Sequence, residues 1–309
     1  MAGNVPYGTL TGTSTISNLV QTAYDQYVRM ALRSIPVMRA LADVKPVQQA
    51  MPGSSVVFSI YSDLAQATST LTESSDVSSI ALGNPNQITV TLQEYGSAVT
   101  TTKKLNLTSF NDVDAALADI IAYNAADSID AVVAGVLTSG TNIIYGGTAT
   151  NTAGITAGST ISVSDIRAAV TNLRSNKALP RIGELYAAYL HPKQTADLRA
   201  ETGTGGFQDL SKYVDRTPFV AGAVGVLEGA FIVETPRVPY TSNGTTNVYS
   251  AIIAGREALA EAQGQDISTV IGPQIDALRR FHTIGWYYFG GWNILRTAAL
   301  YNIQTATAY

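Results

Sequence analysis

Residues 111–140, NDVDAALADIIAYNAADSIDAVVAGVLTSG, constrain this chain more than any other stretch. Val113, Ala116, Leu117, Ile120, Ile121, Ile129, Val132, Val133, Val136 and Leu137 recur at i, i+3, i+4 and i+7, the spacing that places apolar side chains along one side of an α-helix. Asn111 has the side chain of an N-cap. Asp112 and Asp114 fall in the first turn, where the helix dipole favours anions, and Gly140 is placed to close the far end. At about 1.5 Å per residue such a helix runs roughly 40 Å, more than twice the average length. The fold must supply an equally long surface to cover it. The residues before the helix read as extended, and those after it read as compact mixed α/β.

Residues 1–12 are rich in Gly, Thr and Pro without periodicity and read as an arm. A helix is expected from Thr13, with Ile16, Leu19, Val20, Ala23, Tyr24, Tyr27, Val28, Ala31 and Leu32 on one face. Pro36 interrupts it, a second short helical piece runs through Val37, Leu41 and Val44, and Pro46 with the Pro52-Gly53 turn closes the segment. Residues 54–105 read as a long hairpin. Val56, Phe58 and Ile60 alternate with polar residues on one strand, as do Ile88, Val90 and Leu92 on the other. Between them residues 62–85 form a long stretch of Ser, Thr, Ala and Asp, with Leu71, Val77, Ile80 and Leu82 scattered through it. Loops of that length without secondary structure are uncommon in compact domains and are usually functional. A two-stranded hairpin is marginal by itself and would leave its apolar row in water, so cover is expected from another subunit. The alternative is a hairpin folded back on its own body.

After the helix, residues 138–162 are uncharged and rich in Gly, Thr and Asn. Ser164 is expected to cap a helix carrying Ile166, Ala169, Val170 and Leu173. Residues 185–190 (LYAAYL) read as a buried strand ended by His191-Pro192, with a short helix through Thr195 and Leu198 next. Residues 202–207 read as a flexible loop, and 231–233 and 248–254 as strands. Residues 281–289, a Gly290-Gly291 turn and 294–303 are expected to form a closing hairpin dense in aromatics. Strands and helices are mixed, so the class is α+β.

Several chemistries are excluded or unsupported. The chain has no cysteine, which removes disulfides and thiol catalysis. The two histidines, His191 and His282, lie far apart and outside any metal-ligand spacing; His191 reads as a strand-end turn residue. No GxSxG elbow is present. Gly203, Gly205 and Gly206 lack the Lys-Ser/Thr of a phosphate loop, and Gly222, Gly225 and Gly229 lack the spacing of a dinucleotide fingerprint, so they read as backbone-geometry positions. The acidic pairs Glu73/Asp76 and Glu257/Glu261 read as solvated surface. No catalytic, cofactor-binding or metal-ligating residue is therefore assigned, and the chain does not read as an enzyme. Charged residues are only 14% of the chain, with 19 Lys+Arg against 23 Asp+Glu; the formal charge of −4 offers no basic face for nucleic acid. An uncharged surface suits extensive protein–protein contact. Residues 1–15 have no basic and apolar run of a signal peptide, and the uncharged stretch 131–164 is broken by Thr, Asn and Gly, so a soluble protein made in the cytoplasm, with no membrane contact, is expected.

This order of parts resembles the major capsid protein of tailed bacteriophages, with the HK-97-type coat fold. The likeness is also local: TLTESSD, TLQEYGSAVTTTKKL, LYAAYLHPKQTADLR, VGVLEGAFIVETPRVP, VYSAIIAGREAL and TIGWYYFGGWNILR succeed one another as they do in that family. The resemblance implies a shell subunit with an N-terminal arm and helix at 1–53 and an E-loop hairpin at 54–95. It implies a peripheral domain with the spine helix at 96–140 and 265–309, and an axial domain at 141–264. Its partners would be many copies of itself, as pentamers and hexamers closing an icosahedral or prolate shell around double-stranded DNA without sequence-specific binding. A portal and decoration proteins would join them in the virion. The arm begins near Met1 with no room for a built-in scaffolding domain, so a separate scaffolding protein is expected. Glu73 or Asp76, beside Leu71, would meet a basic residue of a neighbour such as Arg279 or Arg280. The alternatives are an encapsulin-like nanocompartment, which shares the fold, and a tail-associated or adhesin-type binding protein. Some members of the family cross-link subunits, Lys to Asn, through the E-loop, yet residues 62–85 contain no lysine. Denaturing electrophoresis of assembled particles is expected to show one band near 32.5 kDa; a ladder of covalent multimers would contradict this.

Overall fold

A computed structural model of the chain describes residues 37–46, 54–61, 63–68, 70, 73, 76, 79–109, 113–202, 225–273, 278 and 280–309. The expected helix from Thr13, the cap at Asn111 with Asp112, Leu71, Arg279, Gly222 and nearly all of the loop 202–207 lie outside these residues.

The long helix is present as α2 (Val113–Thr138), 26 residues. Its buried stripe is Leu117, Ile121, Ala125, Ile129, Val133 and Leu137, a straight i+4 row. Ile120, expected on that face, is 44% exposed, whereas Ala125 is buried. Two sheets receive the stripe. One is four-stranded, in the order β1 (Ala42–Pro46), β11 (Leu259–Ile271), β12 (Phe281–Ile294), β4 (Gln93–Thr102); β1 runs parallel to β11 and the other pairs are antiparallel. The other has the order β5 (Ile143–Tyr145), β13 (Leu300–Thr305), β10 (Asn247–Ala254), β6 (Tyr186–Leu190), β8 (Ala230–Glu234), β7 (Val226–Leu227), with β9 (Tyr240–Ser242) also paired to β10. One hydrophobic core joins the three layers. Ile284, Trp286, Tyr288 and Trp292 enter it from the first sheet, and Tyr189, Ile252, Ala254 and Leu300 from the second. Trp286 Nε1 donates to Asn124 Oδ1 at 2.9 Å, satisfying the indole where strand and helix meet.

A Gly290-Gly291 turn and a closing hairpin do not form. β12 runs straight through both glycines, which pair with Gln263 and Ala262. Here glycine serves close approach: a Cβ on Gly291 would collide with the carbonyl oxygen of Thr91, where the hairpin of residues 55–91 crosses β12. After Ile294 the chain leaves this sheet, and β13 enters the other one between β5 and β10. The sheets thus divide the chain differently from the boundaries at 264 and 265, since β11 already starts at Leu259 and β13 belongs with β10. The piece through Val37, Leu41 and Val44 is only partly helical: a 3₁₀ turn at Met38–Leu41 passes directly into β1, which carries Val44.

The hairpin is β2 (Ser55–Ile60) with β3 (Asn86–Thr91), in the register Val56↔Val90 and Phe58↔Ile88. Its apolar row is not left for another subunit at the base. Val90 and Leu92 are buried against Ala260 and Ala262, with Val56, Phe58, Phe289 and Leu295 around them. Folding back on the body supplies this cover.

Helix α1 (Lys103–Thr108) is capped by Thr102, whose hydroxyl accepts from Leu105 N at 3.2 Å. Helix α3 (Val163–Ser175) buries Ile166, Ala169, Val170 and Leu173 as expected, but its cap is Ser162 instead of Ser164. Ser162 and Asp165 form a reciprocal capping box, a partnership that Ser164 at the second helical position cannot make. Helix α4 (Pro192–Ala200) comes after the fully buried strand β6, and His191 is its N-cap, Nδ1 accepting from Lys193 N at 3.1 Å. Burial, and then the charge of Lys193, hold the His191 imidazole below its ordinary pKa, in the neutral form an acceptor requires.

These contacts have two measurable consequences. Gly291→Ala is expected to destabilise the unassembled subunit by about 1–3 kcal/mol, read as a lower midpoint in chemical unfolding; an unchanged midpoint would show that the crossing relaxes freely. Because the folded His191 resists protonation, the unfolded chain takes up the proton first. Its contribution to stability is therefore intact above about pH 6.5 and is lost as the pH falls through the lower folded value. His191→Asn, which keeps an accepting cap and cannot titrate, is expected to flatten the pH dependence of unfolding in that range, and an unaltered slope would contradict the assignment.

Candidate functional site

Among the described residues between β2 and β3, large apolar side chains stand exposed: Tyr61 is 61% exposed, Leu64 56%, Ile80 68% and Leu82 60%. Such exposure in a segment carried on a hairpin locked at its base marks it as a contact element. Glu73 and Asp76 stand exposed on it. Arg280 lies elsewhere, at the mouth of β12. Its carbonyl accepts from Lys103 N at 2.8 Å and its guanidinium sits 5.5 Å from the Phe281 ring. Lys103 and Lys104, exposed on α1, therefore join Arg280 at one end of the four-stranded sheet.

A second exposed element was missed. Beyond its pairing with the short β1, β11 continues as an edge strand beside β12, which is itself paired with β4 on its other side, and Ile267, Val270 and Ile271 are 37%, 48% and 68% exposed. The alternation in residues 266–271 (DISTVI) carries a strand signal, but nothing in it says that the strand outruns its neighbour.

The Val37–Asp43 segment is tied down over a few residues. Val37 O accepts from Tyr189 OH at 3.3 Å. Arg39 donates to Glu261 through Nε at 3.1 Å and Nη2 at 2.6 Å, and its guanidinium lies 5.5 Å from the centre of the Tyr288 ring. Arg181 donates to Ala40 O at 2.9 Å and to Asp43 at 3.2 Å, while Asp43 also accepts from Glu257 N at 2.9 Å. Glu261, expected on the solvated surface, is fully buried. A carboxylate there needs hydrogen-bonded partners, and besides Arg39 it accepts from Tyr288 OH at 2.9 Å. Burial, and then the Glu261 charge, hold the Tyr288 phenol far above its ordinary range, so it stays a neutral donor. Burial is the largest single influence on Arg39 and opposes its charge, but the hydrogen bond and the charge of Glu261, with Tyr288 and Asp266 adding to them, together hold the guanidinium above its ordinary pKa. Glu257, the other member of the expected acidic pair, is partly exposed and bridges to Arg296 at 2.9 Å.

His191 and His282 occupy different sheets' margins: the first caps α4, the second lies in β12 opposite Thr101. Gly225 and Gly229 both have positive φ, 61° and 85°, and frame the β7–β8 turn, as backbone-geometry positions should. Among the described residues, no group of three or more His, Asp or Glu could hold a metal ion.

Residues 13–297 match the family described as phage capsid protein. No curated protein matches the chain. Among solved structures, the capsid of cyanophage P-SCSP1u superposes with a TM-score of 0.73 at 17% identity, covering 94% of each chain. The capsid of Ralstonia phage GP4 gives 0.69 at 14% identity, over 93% of this chain and 95% of the other. The head structure of Helicobacter pylori bacteriophage KHP40 gives 0.68 at 13%, over 98% and 99%. At these identities the likeness is one of fold, and it is the HK-97-type coat fold expected from the order of parts. The sequence match spans nearly the whole chain and the fold recurs over full length in these capsids; this chain belongs to the phage capsid protein family.

Proposed function

We propose that this capsid protein forms its shell as pentamers and hexamers of a single subunit, closing around double-stranded DNA without gripping it. The single observation that carries this reading is the pairing of an exposed apolar segment, 61–85, with a hairpin base buried in its own body. A segment held out in that way offers its apolar side chains to a neighbouring copy, and rotational symmetry turns one such contact into a ring. The role is structural, in the virion capsid, and needs no catalytic residue or cofactor.

In this reading residues 54–95 are the E-loop. The four-stranded sheet with α2 forms the peripheral domain, and the seven-stranded sheet with α3 and α4 forms the axial domain. Leu71, Glu73 and Asp76 of one subunit lie near Arg279 and Arg280 of the next, with Lys103 and Lys104 enlarging the basic side. Exposed pairs of this kind contribute about 0–1 kcal/mol each, so they set register more than strength. The net charge of −4 accords with an inner wall that does not bind DNA tightly. A separate scaffolding protein, a portal and decoration proteins complete the particle.

Deletion of residues 63–84 leaves residues 61, 62 and 85 as a three-residue connection between β2 and β3, a length that hairpins accommodate. The shortened chain is expected to fold, with circular dichroism like that of the full chain, and to fail to form closed particles by electron microscopy. Closed shells of normal diameter would overturn the proposal, and nuclease-protected DNA within full-length particles separates a viral shell from a cargo compartment.

A further inference from the structure

Asp130 is a charged residue on the buried stripe of α2, only 1% exposed, and nothing in the shell reading has used it. Its Oδ1 accepts from Met38 N at 2.6 Å and from Arg39 N at 3.3 Å, across 92 and 91 residues of sequence. These are the first two N–H groups of the Met38–Leu41 turn, which have no acceptor within the turn itself. The residue that would ordinarily cap them is Val37, which has no side-chain acceptor. Its φ of −135° and ψ of −15° also lie outside the extended conformation that an N-cap adopts. The acceptor is supplied instead by the helix against which the turn packs. On its other side the Asp130 carboxylate has Arg237 Nη1 3.9 Å from Oδ2. Arg237 also pairs with Asp127 and donates to Tyr123 OH at 2.6 Å, so three residues of α2 are joined to the connection after β8.

We infer that Asp130 is a positioning residue for assembly: by capping the Met38–Leu41 turn from a distance, it fixes the position and heading of the chain at Val37, to which residues 1–36 are joined. The carboxylate is rigid because α2 is buried along that stripe, and two N–H groups sharing one oxygen define a direction that one contact cannot. Tyr189 OH on Val37 O and Glu261 on Arg39 hold the same turn by a carbonyl and a side chain. Asp130 alone among the contacts on this turn holds its two leading amides. Carboxylates at the start of a helical turn also match its dipole.

This rests on the shell reading, and the test separates the two. The full chain, Asp130→Asn and Asp130→Ala are compared under the conditions in which the unsubstituted chain closes shells. The readouts are shell yield by electron microscopy and hydrogen exchange at the Met38 and Arg39 amides, with the amides of β12 as the reference for global opening. Asn retains the Oδ1 acceptor and loses only the charge facing Arg237. It is expected to keep both amides protected and to close shells at the unsubstituted yield. Ala is expected to lose protection at Met38 and Arg39 by about fivefold or more relative to β12, the order of a lost cap, with closed shells reduced at least in proportion. Shells at full yield from D130A, or protection lost equally at β12, would overturn the inference. If D130A does not fold, D130N decides: loss of shells or of local protection in D130N assigns Asp130 to its ion pair and overturns the cap. Failure of the unsubstituted chain to form shells would count against the shell reading alone, because exchange still tests the cap.

Discussion

The i+4 row from Ile121 to Leu137 on α2 is the contact on which the rest of the molecule depends. It packs against Ile284, Trp286 and Tyr288 of one sheet and against Tyr189, Ile252 and Leu300 of the other, so a single core spans both. Packing at interior density couples what it joins, because neither sheet can shift against the helix without opening voids along its length. At about 1.5 Å per residue, a 26-residue helix is close to 40 Å of continuous support. A shell subunit has to hold contact elements at fixed separations in every copy, and a strut packed along one stripe against two sheets meets that requirement.

Around the strut, the reaching parts of the chain are secured by short-range devices. The hairpin crosses β12 where Gly291 lacks the side chain that would hold it away. The Val37–Asp43 segment is tied by polar groups in places where water cannot compete: Glu261 between Arg39 and Tyr288, and Asp130 beneath Met38 and Arg39. Ion pairs of this kind are a poor source of stability, since desolvation offsets much of the attraction. What they supply is geometry. A buried carboxylate tolerates few arrangements of its donors, so the arrangement seen here restricts the direction of the Met38–Leu41 turn.

Much of the architecture was legible because it is written in local periods. The helical row in residues 111–140, the alternation in β2 and β3, and the unbroken apolar run of β6 each depend on neighbours within a few positions. The order of these parts was enough to place the chain with phage coat proteins. Signals shared by two structural roles were misread. Gly290-Gly291 has the composition of a turn, yet lies within a straight strand. Ser164 and Ser162 are equally good caps in isolation, and only Ser162 has Asp165 at the right spacing. The apolar row of the hairpin called for cover, but its pattern is the same whether that cover is another subunit or Ala260 and Ala262 of the same chain.

By itself, then, the sequence determined the long helix α2, the paired alternation of β2 and β3, the buried strand β6, the absence of thiol chemistry and the family. Only the tertiary structure decided which sheet each strand joins, where β13 and the two glycines belong, and that Glu261 and Asp130 are interior. The physical reason is one of range. Periodicity and capping are settled over three or four residues, whereas the burial of an acid depends on donors 222 and 92 residues away. No local pattern distinguishes an aspartate that faces water from one that holds two distant amides.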